Sequence, residues 1–168
     1  MNDPEIEAIL KAHAHAKAEA EAAAKLRSEK RAEHLRRMTE TVGIKLKEHV
    51  MPLLETAAAQ VRESGYQAIV SFAEDTGGAG AKNLWIVASV MIECQRGPAT
   101  REQFDLKFLG EVDGEQDVWQ VRTFTMGGNL ESGEAIYHPH RDGLKEFAKE
   151  HVLAFLRSVF PAGEEGRP

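Results

Sequence analysis

Three histidines near residue 140 have the side chains best suited to chemistry in this 168-residue chain. His138 and His140 flank a proline, and His151 follows in a predicted helix with Asp142 nearby. Imidazole and carboxylate groups are common ligands of zinc and iron, so this set could in principle hold a metal ion. However, the spacing matches no recognised metal motif, and His151 on an apolar helix face is typical of a hydrogen-bonded core or rim residue. The sequence therefore predicts no metal site and no cofactor.

The segment 77–80, Gly-Gly-Ala-Gly, resembles a phosphate-binding loop in composition only. Small residues let backbone amides approach an anion, but the usual phosphate loop is followed by a helix and a Lys-Ser or Lys-Thr pair. Here a strand is predicted to follow, and Lys82 is the nearby cation. We therefore interpret 77–80 as a hairpin turn.

The single cysteine, Cys94, is the remaining candidate nucleophile. It falls near the end of a predicted strand with no readable base partner, and the chain lacks a Gly-x-Ser-x-Gly elbow. One cysteine also excludes an internal disulfide framework and a multi-cysteine zinc site. We expect Cys94 to fill a small space in the core, and we predict no catalytic residue and no enzymatic activity.

The strongest local charge signal is a basic segment within a predicted N-terminal helix. Its cations are Lys25, Arg27, Lys30, Arg31, Arg36 and Arg37, against Glu29 and Glu33. A helix of this density could follow the phosphates of a nucleic acid. The alternative is a solvated, ion-paired helix, which the net charge of −6 favours.

Composition limits the classes of partner. The 27 acidic and 21 basic residues make the chain as a whole repel nucleic acid and anionic membranes. No basic-flanked apolar leader is visible at the start, and the longest mostly apolar run, 84–92, is too short to span a bilayer as a helix. We expect a cytoplasmic protein with no membrane partner and enough apolar residues, 42%, to build a core.

The N-terminal part of the chain is predicted to be helical in two stretches. Residues 1–34 form an arm rich in alanine and charge, whose apolar stripe is thin for a coiled coil. Residues 35–64 form a helix with apolar residues every three or four positions. We expect Pro52 to kink this helix, helped by Gly43, and Gly65 to close it.

The remainder predicts a sheet followed by a helix. Strands are expected within 66–138, with a strand at 83–94 that is apolar on both faces and therefore central, and with a hairpin at Asp113-Gly114. A helix over 142–160 and a disordered tail at 161–168 complete the chain. The body, 35–160, is thus predicted to be an α+β fold, in which a four- or five-stranded antiparallel meander packs on the kinked helix and the C-terminal helix.

These elements favour a structural or adaptor protein that self-associates or binds a partner protein through its N-terminal helices. The second sheet face, with Trp85 and Trp119, would supply another contact surface. One alternative is a nucleic-acid-associated protein that uses the segment 25–37. Another is a ligand-binding or enzymatic body with a pocket lined by Phe104, Phe108, Trp119 and Phe155.

Overall fold

A computed structural model describes residues 3–75, 83–113, 116, 118–127, 134–139 and 143–162. The chain divides into two compact units, Met1–Arg37 and Met38–Pro168. The elements, in chain order, are α1 (Pro4–His49), α2 (Met51–Glu63), β1 (Gln67–Asp75), β2 (Asn83–Gln95), β3 (Arg101–Asp113), β4 (Val118–Met126), β5 (Glu134–Tyr137) and α3 (Leu144–Val159). The predicted α+β fold is confirmed.

The kink predicted at Pro52 is confirmed as a junction between α1 and α2. Pro52 has no amide hydrogen, so the helical ladder is interrupted where α1 ends, and the proline lies in the first turn of α2. Val50 bridges the junction, since its amide donates to the Leu46 carbonyl (2.9 Å) and its own carbonyl accepts from Leu54 (3.1 Å). The predicted boundary between residues 34 and 35 falls inside α1, which is continuous there.

Helix α2 is closed at Gly65, as the sequence predicted. This glycine has φ +91°, a left-handed conformation that side chains rarely adopt. Its amide donates to the Arg62 carbonyl (2.9 Å), and the Tyr66 amide donates to the Val61 carbonyl (3.2 Å). This pair of bonds is a Schellman motif, which satisfies carbonyls at the helix end and directs the chain into β1.

The five strands form one antiparallel sheet in the order β1-β2-β3-β4-β5. Each strand therefore pairs with its sequence neighbour, as expected for a meander, and β2 is an interior strand as predicted. The register is fixed by pairs such as Ala88 with Phe108 and Phe108 with Thr123. The turn residues predicted at 77–80 and at Gly114 lie outside the described residues, as do 163–168 of the predicted tail.

One face of the sheet, the covered face, packs against the helices. Its buried residues are Ala68 on β1, Ile86, Ala88, Val90, Ile92 and Cys94 on β2, Phe104, Leu106, Phe108, Gly110 and Val112 on β3, Val121 and Thr123 on β4, and Tyr137 on β5. The helices contribute Val42, Leu46, Val50, Leu54, Ala58, Val61, Leu144, Ala148, Val152, Phe155 and Val159. Burial at every second strand position and every third or fourth helix position places the hydrophobic core between these layers.

Two glycines let α1 approach the sheet closely. A Cβ atom at Gly110 of β3 would collide with Val42 and would lie 3.3 Å from Leu46. A Cβ atom at Gly43 of α1 would lie 3.1 Å from Cδ1 of Ile86. Gly43 therefore provides room for helix–sheet packing, and α1 continues through it to His49 without the bend that we expected it to assist.

Candidate functional site

The face of the sheet opposite the helices carries half-buried and exposed side chains, and we call it the open face. Its members are Ile69, Ser71 and Ala73 on β1, Trp85, Val87, Ser89, Met91 and Glu93 on β2, Asp105, Lys107, Leu109, Glu111 and Asp113 on β3, Val118, Gln120, Arg122, Phe124 and Met126 on β4, and Glu134 and Ile136 on β5. Ile69 is 54% exposed, Met126 50% and Ile136 43%. Large apolar side chains thus reach the surface on several strands of the sheet.

The strand register aligns these apolar residues in rows. Ala73 pairs with Val87, Val87 with Leu109, and the row continues through Arg122 to Ile136. Side chains that pair directly on one face have Cβ atoms about 4.5–5.5 Å apart, so the first three form a continuous apolar strip. The open face therefore presents a patch rather than scattered hydrophobic residues.

A second row carries apolar residues at both sides of the sheet. Ile69 of β1 pairs with Met91, Met91 with Asp105, and Asp105 with Met126 of β4. Methionine side chains adapt to irregular surfaces because they are unbranched and flexible. The polar row of Ser71, Ser89 and Lys107 lies between this row and the first, so the two rows are separate apolar sets on one face.

An ion-paired cluster lies beside the first apolar row. Arg122 is 3.2 Å from a carboxylate oxygen of Glu111 and 3.0 Å from one of Glu134. The Gln120 side-chain amide donates to Glu111 at 2.7 Å. These contacts are partly solvated, so they contribute little to stability, but they fix the positions of charges at the edge of the patch.

The two tryptophans lie on different faces of the sheet. Trp85 is on the open face and 38% exposed, as predicted. Trp119 pairs with the buried Val112 of β3 and lies two residues before Val121, so its side chain is on the covered face. The centroid of its ring is 6.4 Å from that of the Tyr137 ring. The placement of Trp119 on the second face was wrong. Both tryptophans nevertheless line a cavity of about 460 Å³ at one end of the sheet.

The basic segment of α1 belongs to the first unit, and its six cations are exposed. At about 3.6 residues per turn, Lys25 and Arg36 share one side of the helix whereas Arg27 and Arg31 lie on the opposite side. Lys30 and Arg37 lie near Arg27 and Arg31, so these four cations share one side of the helix within an arc of about 120°. The acidic residues Glu29 and Glu33 lie on the side of Lys25 and Arg36. The segment therefore has one basic face of four cations, which is the arrangement that the nucleic-acid alternative requires.

The acidic residue Glu33 interrupts the basic segment. Its carboxylate accepts hydrogen bonds from Arg36 (3.1 Å) and Arg37 (3.0 Å). These bonds and the neighbouring positive charges lower the pKa of Glu33 below its ordinary value. Arg27 donates to the Ala23 carbonyl at 3.3 Å. These contacts correspond to the ion-paired helix that we held as the alternative interpretation.

Of the three histidines near residue 140, the structure describes His138 and His151. His151 is half-buried, with Nδ1 at 2.8 Å from the Phe147 carbonyl and its ring 4.3 Å from the Phe147 ring, which confirms a hydrogen-bonded rim position. His138 is exposed. His140 and Asp142 lie outside the described residues. Within the part of the chain that is described, no group of three or more metal-binding side chains occurs.

Cys94 is buried at the end of β2 on the covered face, as expected for a core residue. Burial raises the pKa of its thiol, an effect opposed by the positive charge of Arg96 and reinforced by Glu102. Arg96 itself is held by Glu102 at 2.9 Å and donates to the Val159 carbonyl at the end of α3. A protonated, enclosed thiol is a poor nucleophile.

The aromatic pocket proposed from the sequence is not formed. Phe104, Phe108 and Phe155 are at most 2% exposed and fill the core. The alternative of a pocket lined by these residues and Trp119 rests on analogy with other sheet-and-helix folds, whereas here the helices close directly on the sheet. Sequence alone cannot separate a filled core from a pocket when the same residues line both.

A groove that the sequence did not predict lies between α2 and α3. It has a volume of about 360 Å³ and is lined by Ala57, Gln60, Val61, Ser64, Tyr66, Leu153, Leu156, Arg157 and Phe160. Tyr66 comes after α2 in the sequence and Phe160 comes directly after α3, and the centroids of their rings are 4.8 Å apart. The matching spacing of lining residues on both helices was visible in the sequence, but nothing indicated that the two helices lie side by side.

Comparisons of the chain with protein-family models, with characterised proteins and with solved structures found no match. Among the described residues, no helix has both the length and the apolarity to cross a membrane.

Proposed function

We propose that this chain is a non-catalytic structural or adaptor protein that self-associates, with a second copy of the chain packed on its open face. The observation that supports this most directly is the pair of apolar rows on that face. The strip formed by Ala73, Val87 and Leu109 is bordered by the polar row of Ser71, Ser89 and Lys107, and apolar patches rimmed by polar residues are typical of protein–protein contact sites. The N-terminal helix is proposed as a further element of association.

The size of the open face suits a homodimer. β1 pairs with β2 over nine residues, and β3 with β4 over nine. With strands about 4.8 Å apart and a rise of about 3.3 Å per residue, four such strands present roughly 600 Å² in projection. Stable interfaces bury about 800 Å² of accessible surface per partner, which a pleated face of this extent can supply.

Charges on the open face are compatible with a two-fold interface. Lys107 lies on the central strand, with Asp105 on one side and Glu111 on the other along the same face. In a two-fold dimer each surface meets its own copy, so a face with both signs can pair lysine with a carboxylate of the partner. A face that carried charges of only one sign would instead repel the same face of the second copy.

The first unit adds exposed apolar residues of its own. Ile6, Ile9 and Leu10 are between 57% and 67% exposed, and Leu26 is 52% exposed. They are few and widely spaced, so we expect helix pairing through this unit to be weaker than pairing through the open face.

Light scattering after size exclusion tests the proposal on the full chain. We expect twice the chain mass of 18.6 kDa, and a return to the monomer mass in Leu109→Glu, which places a charge at the β3 end of the apolar strip. Ile44→Glu is the matched control, because Ile44 is also apolar and 54% exposed but lies on α1. Circular dichroism should show that both variants remain folded.

The outcomes distinguish association through the open face from association through the N-terminal helix. A dimer that persists in Leu109→Glu but dissociates in Leu10→Glu would assign association to the N-terminal helix and remove the open face from it. A monomeric full chain at all accessible concentrations would overturn self-association altogether.

A further inference from the structure

The groove between α2 and α3 combines an apolar interior with one cation. Ala57 and Val61, both 6% exposed, form its α2 side, and Leu153 and Leu156 form its α3 side. Arg157 also lines it. We propose that this groove binds a small anionic amphiphile, such as a medium-chain carboxylate, with the chain between the helices and the carboxylate at Arg157.

The groove exists because the α2 side is made of small residues. α2 presents Ala57 and Val61 one turn apart, while α3 presents the longer Leu153 and Leu156. The Tyr66–Phe160 ring pair, with centroids 4.8 Å apart, adds two aromatic surfaces. A predominantly apolar lining offers water few hydrogen-bond partners, so an apolar ligand gains by displacing it.

The polar groups of the groove favour an anion. The Ser64 hydroxyl already donates to the Gln60 carbonyl at 3.0 Å. Arg157 has no acidic residue three or four positions before it on α3, where Leu153 and Ala154 stand. Among the described residues no ion pair of Arg157 is found, so its guanidinium can donate to a carboxylate of a ligand.

The volume sets the size of the ligand. At about 360 Å³ the groove is at the lower end of the range of roughly 300–1,000 Å³ that is usual for small-molecule sites. One aliphatic chain of medium length fits this range better than a two-chain lipid. Leu153, which is 40% exposed, lies at the solvent side and would be covered by the bound chain.

This inference goes beyond self-association and is independent of it. The groove is formed by helices, which pack on the covered face, whereas the proposed dimer uses the open face. A variant that disrupts the dimer, Leu109→Glu, should therefore bind the ligand as the wild-type chain does.

Isothermal titration of the full chain with decanoate, below the concentration at which it forms micelles, is the test. We expect saturable binding of one decanoate per chain. Arg157→Gln should weaken decanoate binding at least about fivefold, the scale of one partly solvated charge-assisted hydrogen bond, and should leave binding of decan-1-ol unchanged. Lys149→Gln removes a cation of α3 that does not line the groove, eight residues and about 12 Å along the helix from Arg157, and should have no effect.

A second pair of variants tests the apolar interior. Ala57→Leu fills the α2 side and should weaken binding of both decanoate and decanol. If that variant fails to fold, Leu153→Gln, at a partly exposed position, should weaken both ligands while circular dichroism remains native. Absence of saturable binding, several molecules bound per chain, or an equal loss in Lys149→Gln and Arg157→Gln would overturn the proposal.

The same variants also show whether the groove is occupied by part of a second copy of the chain instead of by a small ligand. If decanoate does not bind while Ala57→Leu or Leu153→Gln dissociates an oligomer of the chain, the groove holds a helix of a second copy and the small-ligand proposal is wrong.

Discussion

The covered and open faces of the sheet are made from alternate residues of the same strands, yet they have different surroundings. On β3, Leu106 is fully buried and Leu109, three residues later, is half-buried. Both faces carry large apolar side chains, so hydrophobicity alone does not distinguish them. The covered face differs because the helices are close enough to exclude water, which Gly110 permits by leaving room for Val42.

The largest expected effect compares the two leucines. Leu106→Ala should lower the free energy of unfolding by about 2–5 kcal/mol, because it removes buried surface and leaves a cavity in the core. Leu109→Ala should cost less than about 1 kcal/mol, since Leu109 is partly in water in both states. Urea unfolding of both variants under identical conditions measures the difference.

The measurement should be repeated over a range of protein concentrations. If the open face is covered by a second copy, the cost of Leu109→Ala should grow with concentration, because association stabilises only the folded state. Equal costs for the two variants in the monomer would contradict the distinction between the faces.

The next effect concerns the close approach of α1. Gly110→Ala should lower the free energy of unfolding by about 1–3 kcal/mol, because the new methyl group collides with Val42 and forces α1 away from the sheet. Gly43→Ala is the matched variant on the helix side. There the contact with Ile86 opposes a gain of about 1 kcal/mol in helix propensity, so its effect should be smaller.

Thermal unfolding distinguishes the two glycine variants. A Gly110→Ala protein as stable as wild type would show that the helix layer can shift without loss, and the tight packing inferred for the covered face would then be wrong.

Much of the fold was predictable from spacing. The alternation along β2 and β3 indicated strands, and the proline at position 52 indicated the bend, because each has a local steric cause. What the alternation did not show is which face of β2 the helices cover, since Val87 and Met91 on one side are nearly as apolar as Ile86 and Val90 on the other. That choice depends on Gly110, whose importance appears only when a helix lies above it.

The candidate sites were less predictable. Trp119 was placed on the open face by residue type, although its two-residue spacing from Val121 already assigned it to the buried side. The groove at Arg157 results from the side-by-side packing of α2 and α3, which are separated in sequence by the whole sheet. Local patterns carry no information on such a pairing.

A smaller effect of opposite sign is expected at Thr123. This residue is 2% exposed on the covered face, and its hydroxyl has no hydrogen-bond partner among the described residues. Thr123→Val keeps the shape and removes the unsatisfied group, so it should raise the free energy of unfolding by about 1 kcal/mol. Thr123→Ser, which keeps the hydroxyl and removes a methyl group, should lower it. Destabilisation by valine would indicate that the hydroxyl does have a partner.

The smallest effect is expected at Cys94, which lies on the covered face at the end of β2, whereas the adjacent Glu93 lies on the open face. Burial raises the pKa of the Cys94 thiol above its ordinary value of 9.0. Below pH 9.0 the thiol is protonated in both the folded and the unfolded chain. As the pH rises further, the unfolded chain loses this proton first, so the stabilisation that the neutral thiol gives to the fold is progressively lost until the folded thiol also ionises.

The free energy of unfolding, measured from pH 7 to pH 10, should therefore fall more steeply for wild type than for Cys94→Ala. The difference between the two slopes should not exceed about 1.4 kcal/mol per pH unit, the limit for one proton. All other titratable groups are common to both proteins, so their contributions cancel in the comparison. Parallel slopes would mean that the thiol ionises equally easily in both states, as a side chain on the open face would, and that the end of β2 is less enclosed than the rest of the covered face.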